Sequence, residues 1–338
     1  MASQAADVGT RTGWLRGVGA VHEEGWTAPD ARRRLQLVLA GIWLLDAVLQ
    51  FQAFMFSHGF SQMLGGTAAG NPAVIADPVN WSAKIIAGHP AATNAIFAFV
   101  QLAIGLGIAW RPALKLALGA SIGWSLGVWW FGEGLGGVLN GAGGPVNGAP
   151  GAVIIYALLA VLLWPGGPDR AAPFVAGRFT GANVARVLWL VLWGSLAYLA
   201  LLPATRAPKA LGGMVSAMGS GQPSWLSSLD NHLGAFLTSH GPAMAVVLAV
   251  TLAVVAVSAY LPRPAARAGV VLAIVTAAFI WLAEGLGGIL TGGGTDPNSG
   301  LLLALVALAY WPLARAAWSA ASQPGLVATA RPQSPEGA

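Results

Sequence analysis

Apolar residues run along the chain in long unbroken blocks, and polar residues collect between them. Eight blocks stand out, roughly 35–57, 92–110, 113–132, 150–165, 184–203, 242–261, 266–283 and 299–314. Each approaches the about 20 residues that an α-helix needs to cross about 30 Å of hydrocarbon. None shows the every-second-residue alternation of a barrel strand, so the predicted spans are helices. The fourth and eighth blocks are short, as expected of helices packed inside a bundle. Trp110, Trp164 and Trp311 each precede Arg or Pro at a block's end, where interfacial anchors belong.

Composition agrees with a membrane solvent. Of 338 residues, 56% are hydrophobic and 9% charged, against about 25% charged in a soluble domain. Mean hydropathy is +0.67. The net charge of +5 does not point to nucleic acid, because the basic residues sit between the spans and read as topology determinants. With the N-terminus inside, fourteen of the 17 Lys and Arg fall in inner segments, Arg32, Arg33, Arg34, Arg111, Arg186 and Arg263 among them. Only Lys84, Arg206 and Lys209 fall outside. The expectation is a multi-pass protein of a bacterial inner membrane with both termini cytoplasmic. The polar first 34 residues carry no cleavable signal, so the first span is expected to be retained. The chain has no cysteine, which excludes thiol redox chemistry and thiolate metal sites.

The chain also repeats itself. Trp130-Phe131-Gly132-Glu133-Gly134-Leu135-Gly136-Gly137 returns 151 residues later as Trp281-Leu282-Ala283-Glu284-Gly285-Leu286-Gly287-Gly288. The same offset carries Gly70 to Gly221, Pro72 to Pro223 and His89 to His240. After a shorter loop the offset is 147, and Trp164-Pro165 meets Trp311-Pro312. The predicted organisation is a disordered cytoplasmic N-terminus (1–33), a first four-helix repeat (34–166), a basic linker (167–185), a second repeat (186–314) and a disordered tail (315–338). Four spans per repeat make the duplication parallel, with its axis along the membrane normal. Leu226, Leu229, Leu233 and Phe236 recur at helical spacing over 224–237, which predicts an amphipathic helix lying on the outer surface. Asp77-Pro78 reads as the N-cap and first residue of a weaker counterpart. The expected fold is therefore an all-α integral membrane protein. It has about eight transmembrane helices in two parallel-related four-helix repeats, with short interfacial helices on the outer face.

Candidate chemistry gathers at that face, where His58, His89, His232, His240, Asp77, Asp230, Asp296, Glu133 and Glu284 map. His89 and His240 each precede a span, and Glu133 and Glu284 each end one. Two imidazoles and two carboxylates at similar depth supply ligands for a transition metal such as zinc, iron or copper. The same groups could relay protons to a quinone or substrate. The plainer readings are a helix cap for each histidine and, for the glycines, close helix approach. Gly-Leu-Gly-Gly lacks the strand context of a nucleotide loop. Asp46 lies mid-span, where a carboxylate is by default functional. Gln50 stands one turn on, with Gln52 nearby and Gln101 in the second span. Their counterparts in the second repeat are Ala197, Leu201, Pro203 and Leu252, so one working site is expected, in the first repeat. The alternative is a structural Asp46 bonded to neighbouring helices. Asp46, Glu133 and Glu284 are thus the candidate catalytic residues, and Gln50 and Gln101 the candidate cofactor contacts. Thr295-Asp296-Pro297-Asn298-Ser299-Gly300 reads as a turn leading into the last span.

Each repeat reads as a first helix, a long outer segment, a second helix, which in the first repeat ends in Gly105-Leu106-Gly107-Ile108-Ala109-Trp110-Arg111, and two more helices. This plan resembles the DoxX/MauE-like membrane proteins, and the whole chain is similar to polytopic membrane proteins of actinobacteria. The resemblance implies a link to membrane redox systems, with quinone-linked oxidation or maturation of periplasmic redox enzymes as the role. It also implies membrane or periplasmic redox proteins as partners beside the lipid bilayer. A proton-coupled transporter of a small molecule or metal, and a non-catalytic assembly or anchoring protein, are the alternatives.

Overall fold

The computed structural model describes residues 28–166 and 172–313. The expected disordered tails therefore lie almost wholly outside the described residues, and so do 167–171 of the linker. Among the described residues every regular element is helical. Eleven helices longer than two turns follow one another: α1 (Ala28–Leu49), α2 (His58–Gly66), α3 (Ala73–Gly88), α4 (Pro90–Ala109), α5 (Leu114–Phe131), α6 (Ala152–Leu162), α7 (Ala182–Ala200), α8 (Ala210–Met218), α9 (Ser224–Ser258), α10 (Arg263–Ala283) and α11 (Asn298–Ala309). Four of them, α4, α7, α9 and α10, are long and apolar enough to cross a membrane, which makes this a membrane protein. The three arginines in the second turn of α1 lower its mean hydropathy, although it has 22 residues.

α1 packs along α4, α5 on α6, α7 along α9 and α10 on α11. The middle of the molecule is the contact between α6 and α11. These two have only 11 and 12 residues, so each is about 16–18 Å long and falls short of the hydrocarbon thickness. Both are apolar on nearly every side and buried, as helices enclosed by others must be. Close approach depends on glycine at a few crossings. A Cβ on Gly300 of α11 would stand 2.3–2.5 Å from the Cβ, N and Cα of Trp281 on α10.

One end of the bundle carries the arginines, and they close helix ends. Arg33 donates to the carbonyls of Ile108 (3.0 Å) and Ala109, the last of α4. Arg186 donates through Nε to the Ala259 carbonyl at the end of α9 (3.1 Å). A cation at a helix C-terminus meets both its unpaired carbonyls and its dipole.

Two sequence expectations need correction. First, the surface helix over 224–237 and the span over 242–261 are one helix, the 35-residue α9, about 52 Å long. Pro242 does not stop it. In the first half the chain does break, at His89, because Pro90 follows directly and starts α4. Second, Asp77 caps nothing: α3 begins four residues earlier and Pro78 lies inside it. Pro78 has no N–H for the Val74 carbonyl, and the indole N–H of Trp130 takes its place at 3.2 Å. The linker is packed where it is described. Ala172, Phe174, Val175 and Ala176 are buried, and the Ala176 N–H donates to the Ala309 carbonyl at the end of α11.

The two Glu-Gly-Leu-Gly-Gly segments form similar turns. Leu135 and Leu286 have φ of 56° and 53°, and the following Gly136 and Gly287 have 63° and 72°. A Cβ on either glycine would meet the backbone of Pro150 or Pro297 within 2.6 Å. The glycines therefore admit the returning outer loop rather than a neighbouring helix.

Candidate functional site

A cavity of about 470 Å³ opens among α1–α6 and the 295–296 loop. Asp46, Gln50, Gln101 and Glu133, four residues singled out in the sequence, all line it. Aromatic rings make much of its wall. Trp43 lies 4.4 Å from Tyr156, Phe97 5.5 Å from Trp124, and Trp81 6.0 Å from Phe131, centroid to centroid.

Asp46 stands in the last turn of α1 rather than mid-helix, because α1 ends at Leu49. Asn94 of α4 fixes that end by donating to the Gln50 carbonyl (2.6 Å). Gln52 ties it to the second half by donating to the Gly294 carbonyl (3.0 Å). The Asp46 carboxylate is 1% exposed. Its Oδ2 accepts from the Tyr156 hydroxyl at 2.6 Å, and its Oδ1 has no protein partner. Gln50 Oε1, Gln101 Oε1 and Glu133 Oε2 are also buried without a partner. The cavity thus holds several acceptor oxygens on two carboxylates and two amides, which a ligand with N–H or O–H donors would satisfy.

Glu133 Oε1 accepts weakly from the Val153 N–H, at 3.4 Å. Burial first, and Asp296 second, push its carboxyl up to about 8. Asp296 is held by the Thr295 hydroxyl (2.9 Å) and the Asn298 N–H (2.7 Å), yet burial raises its carboxyl as well. A second cavity of about 490 Å³, lined by Asn140, Asn147, Asn298 and glycines, lies against the first. Thr67, Glu133, Thr295 and Asp296 line both, so Glu133 and Asp296 stand between a polar vestibule and the aromatic chamber.

The other sequence candidates lie elsewhere. Glu284 is 1% exposed and fully engaged: Oε1 accepts from the Ser299 hydroxyl (2.5 Å) and Oε2 from the Gly300 N–H (3.1 Å). It staples the end of α10 to the start of α11 and lines none of the described cavities. Burial nevertheless pushes its carboxyl up to about 8. The four candidate metal ligands His89, His240, Glu133 and Glu284 are not gathered into one cluster among the described residues. His89 is exposed at the α3–α4 break, and His240 is exposed on α9 with its ring over Phe236. No group of three metal-ligating side chains occurs among the described residues. A histidine that caps or flanks a proline is turned outwards by the helix it serves.

Sequence reasoning missed Tyr156 and read Asp296 only as a turn former. Tyr156 is the sole polar side chain in Ala-Val-Ile-Ile-Tyr-Ala-Leu-Leu-Ala-Val-Leu, the whole of α6. That was the signal available. Asp230 gave the opposite surprise. Mapped to the outer face by the sequence, it is fully buried, with both oxygens lacking partners.

Folded Glu133 and Glu284 hold their protons to about pH 8, whereas the ordinary glutamate value is 4.5. Protons bound more tightly by the folded state stabilise it at low pH, and that contribution is lost as pH rises through about 8. The melting temperature in detergent should therefore fall between about pH 5 and about pH 9. The double variant Glu133→Gln, Glu284→Gln should flatten the slope. A wild-type melting temperature that rises over this range would contradict the assignment.

Comparison of the chain with protein families, curated proteins and solved structures finds no match in any of the three.

Proposed function

We propose that this protein takes up a cationic, aromatic small molecule into the Asp46 cavity in exchange for protons, as a proton-coupled membrane transporter. The observation that carries the reading is the charge balance of the cavity. Asp46, Glu133 and Asp296 line it, and no Lys, Arg or His does. An ionised carboxylate buried without a counter-charge costs several kcal/mol. Each such carboxylate is therefore neutralised by a proton or by a positive ligand, and the two compete for one site. Faces of Trp, Tyr and Phe attract an ammonium or other organic cation. The vestibule beyond Glu133 and Asp296 gives such a ligand a polar approach.

The reading includes eight spans in two parallel-related repeats, in the cell membrane, with both termini cytoplasmic. Support for the repeats comes from the glutamates. Glu133 accepts from the N–H of Val153, and Glu284 from that of Gly300. The glutamates are 151 residues apart and their donors 147, the same two offsets that relate the sequence halves. Reporter fusions at Gly143 and Gly293 should read as external, and one at Asp169 as internal. An external Asp169 would invert the topology.

A second reading keeps the redox role that the DoxX/MauE-like plan implies. A quinol is a flat aromatic ring with two O–H donors, and the open oxygens of Asp46, Gln101 and Glu133 suit it. One binding experiment separates the two. Tetraphenylphosphonium should bind the purified protein more tightly as pH rises from about 6 to about 9, releasing protons as it binds. Binding of a reduced quinol analogue without any cation binding would transfer the site to the redox reading. Binding of neither would defeat both.

A further inference from the structure

The Asp46 cavity has a second opening, away from the vestibule. Part of its lining is itself at the molecular surface: Trp81 is 61% exposed and Phe131 41%, and Met63, Ile85 and Gly123 are exposed as well. Gly123 stands midway along α5, about 12 Å from the end that carries Glu133. The space there has a backbone cause. α4 and α5 pinch together near the turn that joins them, where a Cβ on Gly107 would stand 2.7 Å from the Ala117 Cβ. Farther along α5, Gly123 and Gly127 follow one another on one face. Both line the cavity, and nothing lies within 4 Å of a Cβ on either. Phe97 of α4 and Trp124 of α5 meet edge to face at 5.5 Å in the same wall. The outer surface nearby is apolar, with Leu102 of α4 and Leu126 of α5 exposed. α4 is long and apolar enough to cross a membrane, so this surface suits acyl chains. At the 151 offset the second half has Ile274 and Ala278 for the two glycines and Ala197 for Asp46. The open space and the buried acid therefore belong to the same half.

We infer that this opening is a lateral portal through which the ligand enters from the bilayer, and that the ligand is a membrane-partitioned organic cation with an aromatic or other apolar body. The inference rests on the cation reading of the Asp46 cavity and adds the route and the class of ligand. Something must meet the acceptors inside. Asp46 Oδ1 and Gln50 Oε1 have no partner, on side chains 1% and 3% exposed. Passing from acyl chains to a wall of Trp81, Phe97, Trp124 and Phe131 keeps an apolar body in apolar surroundings throughout. Its charge meanwhile meets ring faces and then the carboxylate, both absent from lipid. Glycine at 123 and 127 leaves room for that passage, although it weakens a helix relative to other residues. The vestibule remains the connection to water, for protons and for release.

The test uses the full-length protein in lipid nanodiscs, with tetraphenylphosphonium as the probe. Gly123→Leu should slow association and dissociation alike by about tenfold, with the dissociation constant changed by less than about twofold, as narrowing an entrance requires. The side chain enters open space and leucine is the better helix former, so the melting temperature should not fall. A second measurement needs no ligand. The chain has no cysteine, so a nitroxide attached through Gly123→Cys reports on one place. Oxygen, which concentrates among acyl chains, should relax it more than a water-soluble nickel chelate does. Unchanged rates in Gly123→Leu, with wild-type binding intact, would overturn the portal and leave the cation reading standing, as would stronger relaxation by the nickel chelate. Weaker binding at an unchanged association rate would place Gly123 within the binding site and overturn the portal equally. A wild type that binds no tetraphenylphosphonium would defeat the cation reading itself, and this proposal with it.

Discussion

Asp46→Asn should abolish proton-linked cation uptake while expression and melting temperature stay close to wild type. Asparagine keeps the size of the side chain and still offers an oxygen to the Tyr156 hydroxyl, which lies 2.6 Å from Asp46 Oδ2. It removes the charge that must be neutralised alternately by proton and ligand. A loss of about 100-fold or more in uptake is expected of a group whose ionisation is the coupling step. Asp46→Leu should do something different. It leaves the Tyr156 hydroxyl without its partner in a buried place, at a cost of about 1–3 kcal/mol, and so lowers stability as well as uptake. Flux in proteoliposomes driven by a pH step, with melting curves beside it, separates the two effects. Should the Asp46→Asn protein transport normally, the carboxylate would be structural and Glu133 would become the leading residue.

The largest loss of stability is expected from Gly300→Val. The side chain would have to enter where the Trp281 backbone already lies, within 2.3–2.5 Å of the added Cβ. The obstruction is main chain on both helices, so no rotamer change relieves it. Overpacking a core costs about 1–3 kcal/mol when side chains can shift, and this site should lie at or beyond the upper end. The same crossing places the Gly300 N–H on Glu284 Oε2, so separating the helices also breaks the glutamate staple. Gly41→Val is the control, because nothing lies within 4 Å of a Cβ there. A Gly300→Val protein that elutes and melts like wild type would mean that the α10–α11 crossing is not tight.

Much of this architecture was legible because the bilayer imposes strong rules on sequence. Long apolar blocks without alternation, and few charges, led directly to an all-helical membrane protein. The duplicated Glu-Gly-Leu-Gly-Gly, whose glycines read as close helix approaches, forms two turns that share an unusual backbone. What the sequence hid was partnership. Glu133 and Glu284 sit in matching segments, yet one has an open oxygen on a cavity and the other two satisfied ones. The difference comes from Ser299, which stands where the first half has Ala152. Tyr156 becomes important only because α6 is carried to α1 across 110 residues of chain. The histidines misled because an outer-face position says nothing about which way a ring points. Proline misled twice, since Pro78 and Pro242 both lie inside helices. At Pro78 another side chain supplies the hydrogen bond that the proline cannot.

The break at His89 gives the two halves different mechanical characters. In the first half the corresponding stretch is two rods joined at one residue, α3 carrying Trp81, Ser82, Ile85 and Ile86 and α4 carrying Thr93, Phe97 and Gln101 to the cavity wall. Rotation at such a joint needs a change in a few backbone dihedrals and breaks no run of helical hydrogen bonds. The second half has the unbroken α9 in that place, and bending it would cost several of those bonds together. One half therefore has a joint at a single residue in the chamber wall where the other half has a continuous rod.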